Sequence, residues 1–190
     1  MENKIETKTE TKMRTKTGTN KKGAQLRVRP MHRADLENAL ALNEELVHFL
    51  SHLEMEKLMH LWEESSVSLV VEENGEFAGF LLAFREGADY DSINYKWFED
   101  IYPTFLYVDR VVITPNTQSG GLGTAFYNEV FRIAAESGVP VVTAEYYVVP
   151  PNVISEKFHT RFGFEEVGRQ QTADGKKTVS LQVAKVPEIS

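Results

Sequence analysis

The 190-residue sequence predicts one α/β domain of about seven strands and about four helices behind a polar tail. Seven short segments alternate apolar with polar residues or run continuously apolar, which is the strand signature. Four longer segments repeat apolar residues every three or four positions, which is the helical one. An apolar fraction of 42% over this length suffices for one substantial core.

Residues 1–23 consist almost wholly of Lys, Thr, Glu, Asn and Gly. They bring too little apolar surface to a core and are expected to be disordered, with Met13 as an alternative start. The folded domain is expected over residues 25–186. Leu26-Arg27-Val28-Arg29-Pro30 alternates as a first strand. Asp35 opens a helix whose stripe is Leu36, Leu40, Leu42, Leu46, Val47 and Leu50, and a second helix covers 54–63. Strands at 67–72 and 77–85 flank Asn74-Gly75, the strongest short hairpin signal. A strand at 104–114, a helix at 122–137 closed by Gly138, a strand at 139–146, a helix at 152–161 and strands at 164–170 and 177–183 complete the order.

Composition excludes several classes. With no cysteine, the chain has no disulfide, thiolate metal site or cysteine nucleophile. No apolar run is long enough to cross a bilayer and none resembles a secretion signal, so no membrane partner and a cytoplasmic location are expected. The tail carries seven basic and three acidic residues, about +4, which leaves about −11 on the rest of a chain of net charge −7. An acidic body favours cationic, amine-bearing partners and argues against nucleic acid. His48 and His52 lie one helical turn apart with Glu44 a turn earlier, but no further ligand pattern supports a metal, and none is expected.

The most informative stretch is Val108-Asp109-Arg110-Val111-Val112-Ile113, followed through Thr114 to Ser119 by Gly120-Gly121-Leu122-Gly123 at the start of a helix. Bare amides at a helix N-terminus bind phosphates. A nucleotide triphosphate loop is excluded because Thr124, not lysine, follows the last glycine. A dinucleotide loop would use Gly121, Gly123 and a ribose carboxylate at Glu145, but its third glycine falls on Phe126, and too little chain follows for a second half. The segment instead reads Gln-x-x-Gly-x-Gly from Gln118 to Gly123. Downstream, Asn152 precedes His159 by seven residues and Gly163-Phe164 follows.

These two motifs, in this order and at this separation, resemble the Gcn5-related N-acetyltransferase (GNAT) superfamily, and the element order matches it from about residue 25 to 185. The resemblance implies the acyl-CoA N-acyltransferase fold: a mixed, mostly antiparallel sheet splayed between strands 4 and 5, with acetyl-CoA as acyl donor. It implies that the backbone of Val111, Val112 and Ile113 pairs with pantetheine in the splay. Gln118, Ser119, Gly120, Gly121, Leu122, Gly123 and Thr124 would hold the pyrophosphate, and Asn152, Ser155 and Phe158 would line the arm. Pro150-Pro151 would break the sheet there, or simply form a loop and helix start.

Acetyl transfer to an amine needs a proton acceptor for the ammonium and an acid for the departing thiolate. His159 stands where the family usually has tyrosine and is the candidate acid, with a packing role as its alternative. On the strand before the loop, alternation places Tyr107, Asp109, Val111 and Ile113 on one face, making Asp109 the first candidate base and Glu145, near the end of the next strand, its rival, with a water chain and no single base as the third reading. Asp89 to Phe98 reads as an inserted loop whose Tyr90, Asp91, Tyr95 and Trp97 would wall a pocket for a small amine, with Asn43 on the opposite wall. Trp97 and Phe98 have packing over the sheet edge as their alternative. The expected function is acetyl transfer from acetyl-CoA to a primary amine of a small molecule by direct attack in a ternary complex. A non-catalytic acyl-CoA-binding domain is the alternative, and a homodimer is left open.

Overall fold

A computed structural model describes residues 15–19, 23–46, 52–115, 121–172 and 175–187. The His48 position and Gln118, Ser119 and Gly120 of the glycine loop lie outside the described residues. Eight strands and five helices are described, in the order β1 Lys16–Thr19, β2 Gln25–Pro30, α1 Leu36–Glu45, α2 Met55–Glu64, β3 Val67–Glu73, β4 Glu76–Arg85, α3 Ile93–Ile101, β5 Leu106–Ile113, α4 Leu122–Glu136, β6 Val141–Val149, α5 Val153–Arg161, β7 Glu165–Gln171 and β8 Thr178–Lys185. They form one open sheet in the spatial order β1-β2-β3-β4-β5-β6-β8-β7, parallel only at β5–β6. Among the described residues no helix is long and apolar enough to cross a membrane.

Two elements exceed the sequence expectation. Lys16–Thr19, inside the segment expected to be disordered, forms an exposed edge strand on β2. Its threonines suit a strand although they bury nothing, and Lys16 reaches the buried Glu129 of α4 at 3.4 Å. The segment read as an inserted loop contains α3, capped by Ser92 Oγ accepting from the Tyr95 amide. Tyr95 and Phe98, three residues apart, face inward together and anchor it.

The core has two layers. On one side of the sheet α4 packs Leu122, Phe126, Tyr127, Val130 and Ile133 against Val28, Leu69, Leu81 and Val108. On the other, α1, α2 and α3 cover Val70, Phe80, Leu82, Phe84 and Tyr107. The β3–β4 hairpin turns through Asn74 and Gly75, both at positive φ, as the Asn-Gly signal requires.

A bulge corrects the expected face pattern of β5. Leu82 pairs with Arg110 while the next residue, Ala83, pairs with Val108, so Asp109 is the extra residue. Two consecutive side chains then leave on one side of the sheet. Tyr107, Asp109 and Arg110 face α1 and α3, whereas Val111 and Ile113 pack on the α4 side. The four residues expected on one face are divided between two.

Candidate active site

β5 and β6 pair only at Leu106–Val142 and Tyr107–Thr143. Beyond those pairs β5 stays with β4 and β6 with β8 along its length, so the inner edges of the two central strands part. The splay is where it was expected, and the Val111-Val112-Ile113 edge faces it without a β6 partner. Gly79 of β4 lets β5 lie close: a Cβ there would stand 2.5 Å from the Val112 carbonyl oxygen.

At one mouth of the fork α4 begins. Gly121 takes φ 87° at its N-cap and brings no side chain to cap the helix, so among the described residues no N-cap side chain takes the first-turn amides. Arg161 Nη2 donates to Thr124 Oγ1 at 3.4 Å and stands over the Phe158 ring, which packs against Gly123. Asn152 spends its side-chain oxygen on the α5 N-cap, accepting from the Ser155 amide at 3.0 Å.

At the crotch, just past the last β5–β6 pair, the two candidate bases come together from opposite strands. Tyr107 donates to Glu145 Oε1 at 2.9 Å and lies 3.5 Å from Asp109 Oδ1. Asp109 Oδ1 also accepts from Tyr90 at 2.6 Å, and Glu145 Oε1 from Asn94 of α3 at 3.0 Å. Each carboxyl is therefore fixed through one oxygen. The other oxygens, Asp109 Oδ2 and Glu145 Oε2, are buried without a hydrogen-bond partner among the described residues, as is Thr143 Oγ1 beside them. These oxygens belong to the two strands where their pairing ends and keep hydrogen-bonding capacity that a ligand or water can take up.

Electrostatics divide the pair. Burial, then the charge of Asp109, push the Glu145 carboxyl up to about 8. Burial also raises Asp109, but Arg110 and the Tyr90 hydroxyl favour its ionised form. Arg110 Nε stands 3.8 Å from Asp109 Oδ2. Arg110 thus favours the ionised form at Asp109, while Glu145 is the carboxyl pushed into the working range.

The remaining expected residues separate. His159 is buried among Tyr127, Tyr146, Phe158 and Phe164. Its Nδ1 donates to the Ser155 carbonyl at 2.8 Å and its Nε2 accepts from Tyr127 at 2.9 Å. Burial lowers its pKa, and neither nitrogen is left to donate into the fork, contrary to the geometry an acid needs. Of the expected acceptor wall only Tyr90 reaches the carboxylates. Asn43 is buried and accepts from Arg110, one contact away. The Tyr95 hydroxyl is taken by the Arg85 carbonyl, Glu99 and the Ala88 amide. Trp97 covers β7 at Gly168, which has no room for a Cβ beneath it. Asp91 is exposed and pairs with Lys57 of α2 at 3.2 Å. His52 Nδ1 sits 2.8 Å from Glu44, as in a surface ion pair.

Sequence reasoning missed Asn94 and Gln170, which reach Glu145 in series from 51 and 25 residues away. Gln170 Nε2 donates to Asn94 Oδ1 at 3.3 Å. Asn94 carried no signal beyond being polar in an insertion, and Gln170 none beyond alternation in a polar edge strand.

An open mixed sheet whose parted central strands flank a glycine-led helix, with ionisable groups at the crotch, defines an acyl-CoA N-acyltransferase. The acetyltransferase (GNAT) family model matches residues 36–164, and the chain belongs to that family. Solved structures share the fold at low identity. Arabidopsis thaliana NAA60 in complex with a bisubstrate analogue is 18% identical with a TM-score of 0.69, covering 86% of this chain and 99% of its own. The yncA protein of Salmonella typhimurium with its cofactor acetyl-CoA is 18% identical at 0.65, covering 87% and 96%. The ribosomal-protein-S18-alanine N-acetyltransferase of Escherichia coli is 14% identical at 0.65, covering 87% and 96%. No curated protein matches the chain.

Proposed function

We propose that this acetyltransferase moves the acetyl group of acetyl-CoA to a primary amine of a small cationic molecule, by direct attack in a ternary complex with Glu145 as the base. The observation that carries this reading is the set of orphaned oxygens on Asp109, Glu145 and Thr143 at the crotch of the fork. An ammonium group supplies up to three donors, and two flanking carboxyl groups are what it binds best when buried.

The described residues fit the donor. The edge of Val111, Val112 and Ile113 beyond the β5–β6 pairs suits the pantetheine amides, the glycine-led α4 terminus at Gly121, Leu122, Gly123 and Thr124 suits the pyrophosphate, and Arg161 adds a cation beside it. Gln118, Ser119 and Gly120 join them by sequence motif, and Phe158 and Ser155 border the same corner. Acetyl-CoA, when bound, supplies an electrophilic acyl carbon and a thiolate leaving group. Asp109, ionised beside Arg110, holds the incoming ammonium. Glu145 Oε2 takes its proton, and the neutral nitrogen forms the new C–N bond as the C–S bond breaks. The second nitrogen proton, released as the amide forms, passes through water to the departing thiolate, and the proton on Glu145 returns to solvent.

α3 favours a small acceptor. It lies over β6 and β7 through Asn94 and Trp97 and so roofs the face of the sheet onto which the carboxylates open. The test is thiol release from acetyl-CoA with a panel of small amines and of peptides. Release with small cationic amines is expected. Release with peptides alone would contradict the acceptor class, and release with none would favour a non-catalytic acyl-CoA-binding domain.

His159 in this reading packs the α5 side of the fork. His159→Phe is expected to leave turnover within roughly threefold and its pH profile in place, while costing about 1–2 kcal/mol of stability because the buried Tyr127 hydroxyl loses its acceptor. A hundredfold loss of turnover at unchanged stability would instead restore His159 as the acid.

A further inference from the structure

We infer that Asn94 and Gln170 are positioning residues that hold Glu145 in its proton-accepting form, so that α3, the helix between β4 and β5, sets the pH range of the reaction. The inference rests on Glu145 being the base. A carboxylate can only accept, so the Asn94 nitrogen is the group that faces Glu145 Oε1, and its oxygen is left to accept from Gln170 Nε2. Gln170 thereby fixes which way the Asn94 amide points.

Asn94 and Tyr107 both donate to the same oxygen, Oε1. That leaves Oε2, on the other side of the carboxyl, as the atom free to receive a proton. The two donors do two things at once: they orient the carboxyl, and they favour its ionised form against the burial and the negative neighbour that oppose it. The ionisable groups around Glu145 among the described residues come from three elements. β5 brings Tyr107 and Asp109, with Arg110 beside Asp109; the segment before α3 brings Tyr90, and α4 brings Tyr127, whose hydroxyl feels the Glu145 charge. β8 offers Leu181 opposite Glu145, which does not titrate. Of the two donors to Glu145 among the described residues, Asn94 comes from α3 and carries no charge of its own.

The sign follows directly. Removing a donor to the ionised form raises the carboxyl's pKa, so the acid limb of kcat/KM moves to higher pH while the alkaline plateau stays. Asn94→Ala should shift that limb upward by roughly one pH unit, lowering kcat/KM about tenfold below the limb and little above it. Gln170→Ala should shift it the same way by less. The double variant should match Asn94→Ala alone, because Gln170 acts only through Asn94.

The experiment is the pH profile of kcat/KM for the acceptor in wild type, Asn94→Ala, Gln170→Ala and the double variant, at saturating acetyl-CoA, with Glu145→Gln alongside. The position of the limb does not depend on the fraction of enzyme folded, so a purely structural role would lower all points together and leave the limb in place. That result would overturn the inference, as would additive shifts in the double variant. If Glu145→Gln itself kept the wild-type limb, the assignment of the base would fail instead.

Discussion

Glu145→Gln should lower kcat by about 10²–10⁴-fold with little change in the KM for acetyl-CoA. The substitution is close to isosteric, and its carbonyl oxygen can still accept from Tyr107 and Asn94, so the crotch keeps its shape. What disappears is the carboxyl, pushed up to about 8, that takes the ammonium proton in the proposed mechanism. Stability should hold or rise, because a buried acid next to Asp109 has been replaced by a neutral amide. Asp109→Asn separates the two carboxyls by sign. Deleting its charge removes one of the causes that raise Glu145, so the acid limb should move to lower pH, and relative activity at pH 6 should increase even as ammonium binding weakens. Were Asp109 the base, the same variant would lose turnover most severely at low pH. Steady-state rates at three pH values in the two variants decide between these outcomes.

The second large effect belongs to the scaffold. Gly79→Ala should destabilise the protein by about 3 kcal/mol and lower its melting temperature by roughly 6–12 °C. The added Cβ would stand 2.5 Å from the Val112 carbonyl oxygen and 3.2 Å from the Ile113 Cα. Both are backbone atoms of a strand held by its neighbour, so relief requires β4 and β5 to separate. The displaced segment is the one whose free edge lines the fork, so the KM for acetyl-CoA should rise in the same variant. A melting temperature within about 2 °C of wild type would show that the two strands are less tightly apposed than described.

The parts of this protein that were legible in sequence are those specified by short spacing. The Asn74-Gly75 turn, the helix opened at Gly121 and the Asn152-led helix each depend on residues within one or two turns of one another. The order of elements followed from them, and with it the fork. The candidate site was half legible: alternation along one strand nominated Asp109, and the position near the end of the next strand nominated Glu145. The bulge was not, because it arises from how β5 registers on β4, and it divides a face that strict alternation would keep together. α3 was hidden by its composition. Aromatics and amides in an insertion read as a loop, yet Tyr95 and Phe98 anchor a helix, and that helix turns Asn94 onto a carboxylate 51 residues away. β1 was hidden by its polarity, since it is held by pairing and by Lys16 with Glu129 rather than by burial. His159 occupied the expected helical position, but its role depends on Tyr127 and the Ser155 carbonyl, which spacing does not show.

The pH dependence of kcat/KM for the acceptor amine in the wild-type enzyme, from pH 6 to 10 at saturating acetyl-CoA, bears most directly on the claim that a buried carboxyl at the fork drives acetyl transfer. The rate should climb about tenfold per pH unit and level off above about 8, where Glu145 becomes ionised. A profile already flat from pH 6, or one that keeps climbing to the intrinsic pKa of the amine with no break near 8, would contradict it.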